Sequence, residues 1–195
     1  MVSQISEQSV EVNSLVADLL VGSRADISSL HLDIAPVTLR GVVERALASI
    51  PSDLRRDVTV HFGDDRAWLA DGGRAAQIVR NLIVNALKYG GPHVSVESRR
   101  LPGMFVLSVV DDGSGIDPAV AATIFEPFVS IGMTNQALPS VGLGLFVCTS
   151  LAKAMGGSVV YRRSAGLTSF DVALPAAPSE EPISSFGGLA VTEAL

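Results

Sequence analysis

Asn81, Asn85 and Lys88 stand four and three residues apart in a stretch with helical periodicity, so they fall on one face, while Ile78, Leu82 and Ala86 form the adjacent apolar stripe. Asparagine is a middling former of helix interior. Two asparagines at this spacing beside a core stripe invite a ligand-based explanation, or, in a plainer reading, a solvated outer face with ordinary amides. A second group, Asp111-Asp112-Gly113-Ser114-Gly115-Ile116, follows directly on the apolar run ending at Val110. A carboxylate at a strand end can accept hydrogen bonds from an amino group, and the glycines let backbone approach a flat ring. A simple acidic turn is the alternative. The third group, Gly142-Leu143-Gly144-Leu145, opens an apolar helix. Free N–H groups and the positive end of the helix dipole make such a place a phosphate seat, although close helix packing would use the same glycines.

These groups need elements to hold them. Val12, Leu15, Val16, Leu19 and Leu20 mark a helix within residues 5–21, and Pro36 is placed to open a second, carried by Leu39, Val42, Val43 and Leu47 and ended by Pro51. Val58, Val60 and Phe62 alternate, and Ala67 to Ala70 is a short apolar run, so two strands are predicted on either side of the turn at residues 63–66. Asp71 caps the amide-bearing helix, which Gly90, Gly91 and Pro92 stop at Tyr89. His93 to Glu97 and Met104 to Val110 read as a hairpin turning at Leu101-Pro102-Gly103. A further helix spans Gly142 to about Met155, and Val159 to Arg163 with Thr168 to Leu174 closes the domain as a last hairpin. Strands in runs, with no glycine-rich turn after the first, predict an α+β fold rather than a doubly wound sheet. The expected form is a two-layer α/β sandwich: a mixed, mostly antiparallel sheet with helices on one face, preceded by a helical segment. The boundaries follow as a helical piece at 1–29, the sandwich at 30–175, and a tail at 176–195 whose composition reads as disordered.

At 195 residues, against about 150 for a typical domain, the chain has room for one full domain and an appendage. Lys+Arg 14 against Asp+Glu 20 gives a net charge of −6 without a basic cluster, so no nucleic-acid or anionic-membrane surface is expected, and any phosphate must be held locally. Hydrophobic residues are 48% but aromatics only 5%, so the core must be aliphatic. Apolar runs such as Met104 to Val110 stop short of the ~18 to 20 residues that cross a bilayer, and no basic residue opens a signal peptide. The lone Cys148 excludes an internal disulfide, which suits the cytoplasm.

Taken together and in this order, the motifs resemble the ATP-binding catalytic domain of sensor histidine kinases, in the superfamily shared with DNA gyrase, mismatch-repair ATPases and anti-sigma-factor kinases. Asn81 to Tyr89 resembles its N box, Asp111 to Gly115 its first glycine box, Ile124-Phe-Glu-Pro-Phe128 its F box, and Gly142 to Leu145 its second glycine box. Asp71 with Arg74, Gly156-Gly157, Thr168-Ser-Phe170 and Leu174-Pro175 are further matches. The resemblance implies that Asp111 accepts the adenine amino group in a pocket shaped by Gly113 and Gly115 with Ile116, and that Thr168 reaches the adenine edge. It implies that Asn85 supplies an oxygen to Mg²⁺, that Asn81 and Lys88 lie along the phosphates as the catalytic pair, and that Tyr89 packs near the nucleotide. Gly142 and Gly144, with Leu143 and Leu145, would hinge a lid and offer amides to the phosphates, while Phe125 and Phe128 anchor that lid. The implied cofactors are ATP and Mg²⁺. The implied partners are a histidine-bearing dimerisation domain and a response regulator, with a homodimer formed through the N-terminal helix.

Three departures bear on activity. His31-Leu-Asp33 imitates the acceptor motif with Leu32 where an acid belongs, and His61 and His93 lie on expected strands, so the phosphoacceptor is expected outside this chain. Residues 129–141 carry no charge, and Ser140 replaces a glycine of the extended box. Asn81 stands where ATPases and anti-sigma-factor kinases of the superfamily carry a glutamate, and an amide cannot serve as a general base, which disfavours hydrolysis. A non-catalytic, ATP-sensing or protein-interaction module and an anti-sigma-factor-type kinase are the alternatives.

Overall fold

Two sheets and a helical layer share one core. The computed structural model describes residues 31–55, 58–63, 67–129 and 142–178, and the helix expected at residues 5–21 lies outside them. The elements are β1 (Ala35–Thr38), α1 (Leu39–Ala48), β2 (Val58–His61), β3 (Ala67–Ala70), α2 (Gly72–Tyr89), β4 (Val94–Leu101), β5 (Met104–Asp111), α3 (Pro118–Ala121), α4 (Gly144–Ala154), β6 (Ser158–Ser164) and β7 (Leu167–Pro175). The main sheet runs β2-β4-β5-β7-β6, with β2 parallel to β4 and every other pair antiparallel. This is the expected mixed α+β sandwich.

Pleat alternation divides the sheet's residues between its faces. Val94 and Val96, Phe105, Leu107 and Val109, and Phe170, Val172 and Leu174 turn inward. There they meet Leu39, Val42 and Val43 of α1, Ile78, Val79, Leu82 and Ile83 of α2, and Val147 and Leu151 of α4. Full burial of each such side chain contributes about 1.5–3 kcal/mol, so a mainly aliphatic core suffices with few aromatic members, Trp68, Phe105 and Phe170. The outward face carries a polar cluster instead. Buried Asp171 pairs with Arg99 at 2.7 Å and with Arg162, accepts from Ser169 Oγ at 2.6 Å, and Arg99 also donates to Ser108 Oγ at 2.8 Å.

Several local readings change in three dimensions. Pro36 lies inside β1, where its missing N–H does no harm in a two-stranded sheet, and Thr38 caps α1 by accepting from Gly41 N at 3.1 Å. β2 and β3 fall on either side of residues 63–66 as predicted but do not pair. β2 joins the main sheet beside β4, whereas β3 pairs with β1. Trp68 of β3, fully buried, ties the small sheet to the large one by donating to Phe105 O at 2.8 Å. At the C-terminal end the pairing passes β7: Ala176 bridges Trp68 and Ala177 N donates to Ala67 O at 2.9 Å. Residues 179–195 lie outside the described residues.

Candidate functional site

The long helix α2 is the backbone of the site. Asp71 caps it, accepting from Gly73 N at 2.9 Å and Arg74 N at 3.0 Å, and also from Asp33 N at 3.2 Å. Burial pushes the Asp71 carboxyl up, but the backbone donors Arg74, Asp33 and Gly73 outweigh it and hold the group below the ordinary value of 3.8. The helix ends where Gly90 N donates to Ala86 O at 2.8 Å.

That end touches the end of β5. A Cβ on Gly90 would stand 2.7 Å from Asp111 Cγ, and one on Gly113 would stand 2.7 Å from Gly90 C and Gly91 N. Only bare backbone permits this approach. Asp111 is 4% exposed, and its carboxylate accepts from Gly113 N at 2.9 Å and from the backbone of Gly91. Burial dominates these bonds, and the carboxyl titrates above its ordinary 3.8. In register with Asp111 on β7 stands Thr168, 3% exposed. The first glycine box then folds over β6: Ile116 N donates to Tyr161 Oη at 3.1 Å, and Arg163 Nη1 donates to both Gly113 O at 2.7 Å and Thr168 Oγ1 at 2.8 Å.

Two turns back along α2, Asn81 is 8% exposed and its Nδ2 has no hydrogen-bond partner among the described residues. A buried donor without an acceptor costs about 1–3 kcal/mol. The amide faces α4, since a Cβ on Gly144 would lie 4.0 Å from Nδ2. α4 starts at Gly144 after Leu143, without any side-chain cap, whereas Thr38, Asp71 and Asp117 cap the other helices described. The expected helix start at Gly142 thus moves two residues on. Gly142 instead takes φ +70 against the chain at 128–129, where Phe128 N donates to Gly142 O at 3.0 Å. Phe128, within the lid expected between Pro118 and Val141, thus meets the chain just past the end of that span. Residues 130–141 lie outside the described residues.

Asn85 lies one turn from Asn81 on the same helical face, half-buried, with Lys88 and Tyr89 at the last turn. At 1.5 Å rise per residue, Asn85 is about 7.5 Å along the axis from Gly90 and hence from the Asp111 junction. One helix so connects Asp111, Gly113 and Thr168 at its C-terminal end with Asn81, Gly144, Leu143 and Leu145 near its middle. Phe125 packs edge-on to Phe170 at 6.4 Å, whereas Phe128, expected beside it as a lid anchor, is 67% exposed. His93 stands one residue before β4, its Nδ1 2.6 Å from Asp112 Oδ2, and His31 precedes β1. Arg163 and Tyr161 escaped the sequence reading. Their signal is the alternation Val159-Tyr161-Arg163, which puts a cation at the end of an inward stripe.

A family model described as "Histidine kinase-, DNA gyrase B-, and HSP90-like ATPase" matches residues 70–178, the span from β3 to the end of β7. The chain belongs to this ATPase family. This ATPase domain is similar to the probable sensor histidine kinase TcrY of Mycobacterium tuberculosis, 31% identical over 188 residues that cover 89% of this chain and 37% of that protein. Among solved structures it resembles the mycobacterial sensor histidine kinase MprB, at TM-score 0.61 and 27% identity, covering 74% of this chain and 99% of that one. It also resembles full-length ShkA in complex with AMPPNP, at TM-score 0.65 and 28% identity, covering 90% of this chain and 39% of that one. The chain spans little more than a third of the length of the curated relative TcrY, at 37%. Among the described residues, no helix is long and apolar enough to cross a membrane.

Proposed function

We propose that this histidine kinase-type ATPase domain binds ATP with adenine at Asp111 and phosphates running along α2 to Gly144. The γ-phosphoryl group then passes to a histidine on a dimerisation domain, and onward to a response regulator. The observation that carries this reading is the buried, unpartnered Nδ2 of Asn81 beside the uncapped start of α4. Both present donors to the same space, which an oxygen-rich anion would satisfy. The relationship to ShkA, solved with AMPPNP, supports a nucleotide in this cleft.

Each residue has a task in that reading. The Asp111 carboxylate accepts from the purine amino group, and the Gly113 and Gly115 backbone lets the ring lie flat. Asn81 and the amides from Gly144 onward hold terminal phosphate oxygens, with Lys88 contributing positive charge. Among the described residues no three His, Cys, Asp or Glu gather as a metal cage. The Asn85 amide oxygen is a hard donor suited to Mg²⁺ that is otherwise bound by nucleotide oxygens and water. Mg²⁺ in that position supplies charge neutralisation to the phosphates. Asn81 cannot activate water as a base, which favours transfer over hydrolysis.

The test joins calorimetric ADP titration with incubation of the chain, γ-labelled ATP and a separately supplied dimerisation domain. An acid-labile, base-stable label on that domain is expected, together with loss of ADP binding in Asp111→Ala. Unchanged affinity in Asp111→Ala would refute the adenine placement. Tight ADP binding with no labelled histidine would leave a nucleotide-sensing module, the reading favoured by the uncharged stretch at 129–141.

A further inference from the structure

The geometry points to Arg163 as a positioning residue that sets purine specificity by fixing Thr168 as a hydrogen-bond donor to the purine ring. The inference rests on the proposed adenine placement at Asp111. Arg163 belongs to β6, which contributes nothing else polar to the inward face beyond the Tyr161 hydroxyl that holds Ile116 N. Its Nη1 donates to Gly113 O at 2.7 Å and to Thr168 Oγ1 at 2.8 Å. Its Nε and Cζ lie 3.0 and 3.1 Å from where a Cβ on Gly115 would sit, and Gly115 has φ +78. One guanidinium thus braces both glycines of the box and the facing strand.

A guanidinium carries donors only, so the Thr168 oxygen must accept from it, and the hydroxyl proton is turned to another acceptor. The neighbour in register is Asp111, an acceptor-only group when ionised, with Oδ1 already taking Gly113 N. An acceptor and a donor therefore sit side by side on adjacent strands. Adenine presents the complement, a donor amino group at N6 beside an acceptor at N1. Hypoxanthine and guanine present the reverse, with an acceptor at O6 and a donor at N1. Without Arg163 the Thr168 hydroxyl rotates freely and serves either edge, so the contribution of N1 to recognition is lost.

The experiment measures the affinity of the folded chain for ADP, for inosine diphosphate and for the ADP analogue with carbon in place of N1. The first comparison reads Asp111 at N6 together with Thr168 at N1, and the second reads Thr168 at N1 alone. Wild type is expected to prefer ADP over the N1-lacking analogue by about fivefold to tenfold, the worth of one neutral hydrogen bond. Arg163→Gln should collapse that ratio toward one and lower the preference over inosine diphosphate to the part that Asp111 reads at N6. Arg163→Lys should restore part of it, and Thr168→Val should abolish it and make Arg163→Gln silent in the double variant. A wild type indifferent to ADP and inosine diphosphate overturns the Asp111 placement and this inference with it. A wild type that separates those two, yet shows the same N1 ratio with and without Arg163, overturns this inference alone. Unfolding in urea checks each variant, and Arg163→Lys carries the test if Arg163→Gln does not fold.

Discussion

Gly90 rests directly on the side chain of Asp111: a Cβ on that glycine would stand 2.7 Å from the carboxyl carbon and 2.4 Å from Ala86 O. The last turn of α2 and the last residue of β5 are thereby locked together, which fixes the carboxylate of Asp111. Gly90→Ala must push them apart. It should destabilise the fold by about 1–3 kcal/mol, as overpacking does, and weaken ADP binding beyond what lost stability explains. Urea unfolding and calorimetry on the folded variant measure the two effects separately, and an unaltered ADP affinity would detach Asp111 from that role.

Asn81 sets stability against function. Its Nδ2 is buried without a partner among the described residues, so Asn81→Leu removes a desolvated donor at the cost of a modest change in shape. Stability without nucleotide should stay level or rise by about 1 kcal/mol, while ATP affinity falls about tenfold or more. Parallel thermal unfolding with and without ATP checks this: the wild type should gain stability on adding ATP and the variant should not. Equal gains would contradict a phosphate role for Asn81.

Asp111 titrates above 3.8 because burial disfavours its charged form. A folded-state pKa above the unfolded one means that the stability linked to this group is full at low pH and is lost as pH rises through the folded pKa. A purine amino donor favours the carboxylate and reverses the shift. An NMR titration of the Asp111 carboxyl carbon should show a midpoint above 3.8 in the free chain, and a lower one with ADP bound. No movement on adding saturating ADP would contradict the contact.

Asp71 behaves in the opposite sense, since its helix-cap hydrogen bonds lower the folded pKa below 3.8. Its contribution is present above the unfolded pKa and lost as pH falls through the folded one. Asp71→Ala should cost about 1 kcal/mol at neutral pH, and the gap between variant and wild type should close as pH falls below 3.8. Urea midpoints across that range provide the measurement.

Asp171 offers a control away from the groove. Its side chain is 5% exposed between Arg99 and Arg162, which are 41% and 52% exposed. Asp171→Ala takes the carboxylate from both guanidiniums, but Arg99 keeps Ser108 Oγ and each can rehydrate, so the loss should be about 2 kcal/mol rather than that of a wholly buried pair. The cluster lies on the outward face of the sheet. ADP affinity should therefore be unchanged, and a marked drop would mean that the two faces are coupled.

The sequence alone settles what depends on short range. Asp71 as a cap, the apolar stripe from Ile78 to Ala86 and the stop at Gly90 are contained within one run of residues, because a helix's period and caps involve neighbours three and four apart. The motif order around Asn85, Asp111 and Gly142 identified the family for the same reason. Tertiary structure alone decided which strand lies beside which: β2 and β3 follow each other along the chain yet enter different sheets, because pairing is chosen by packing over the whole core rather than by the alternation each strand carries. It also decided that Gly90 and Gly91 are contacts to Asp111 and Gly113 and not merely a helix stop, that Phe128 stands outward, and that Arg163 reaches Thr168 and the glycine box. These are meetings of residues on separate elements, and no periodicity in either partner records them.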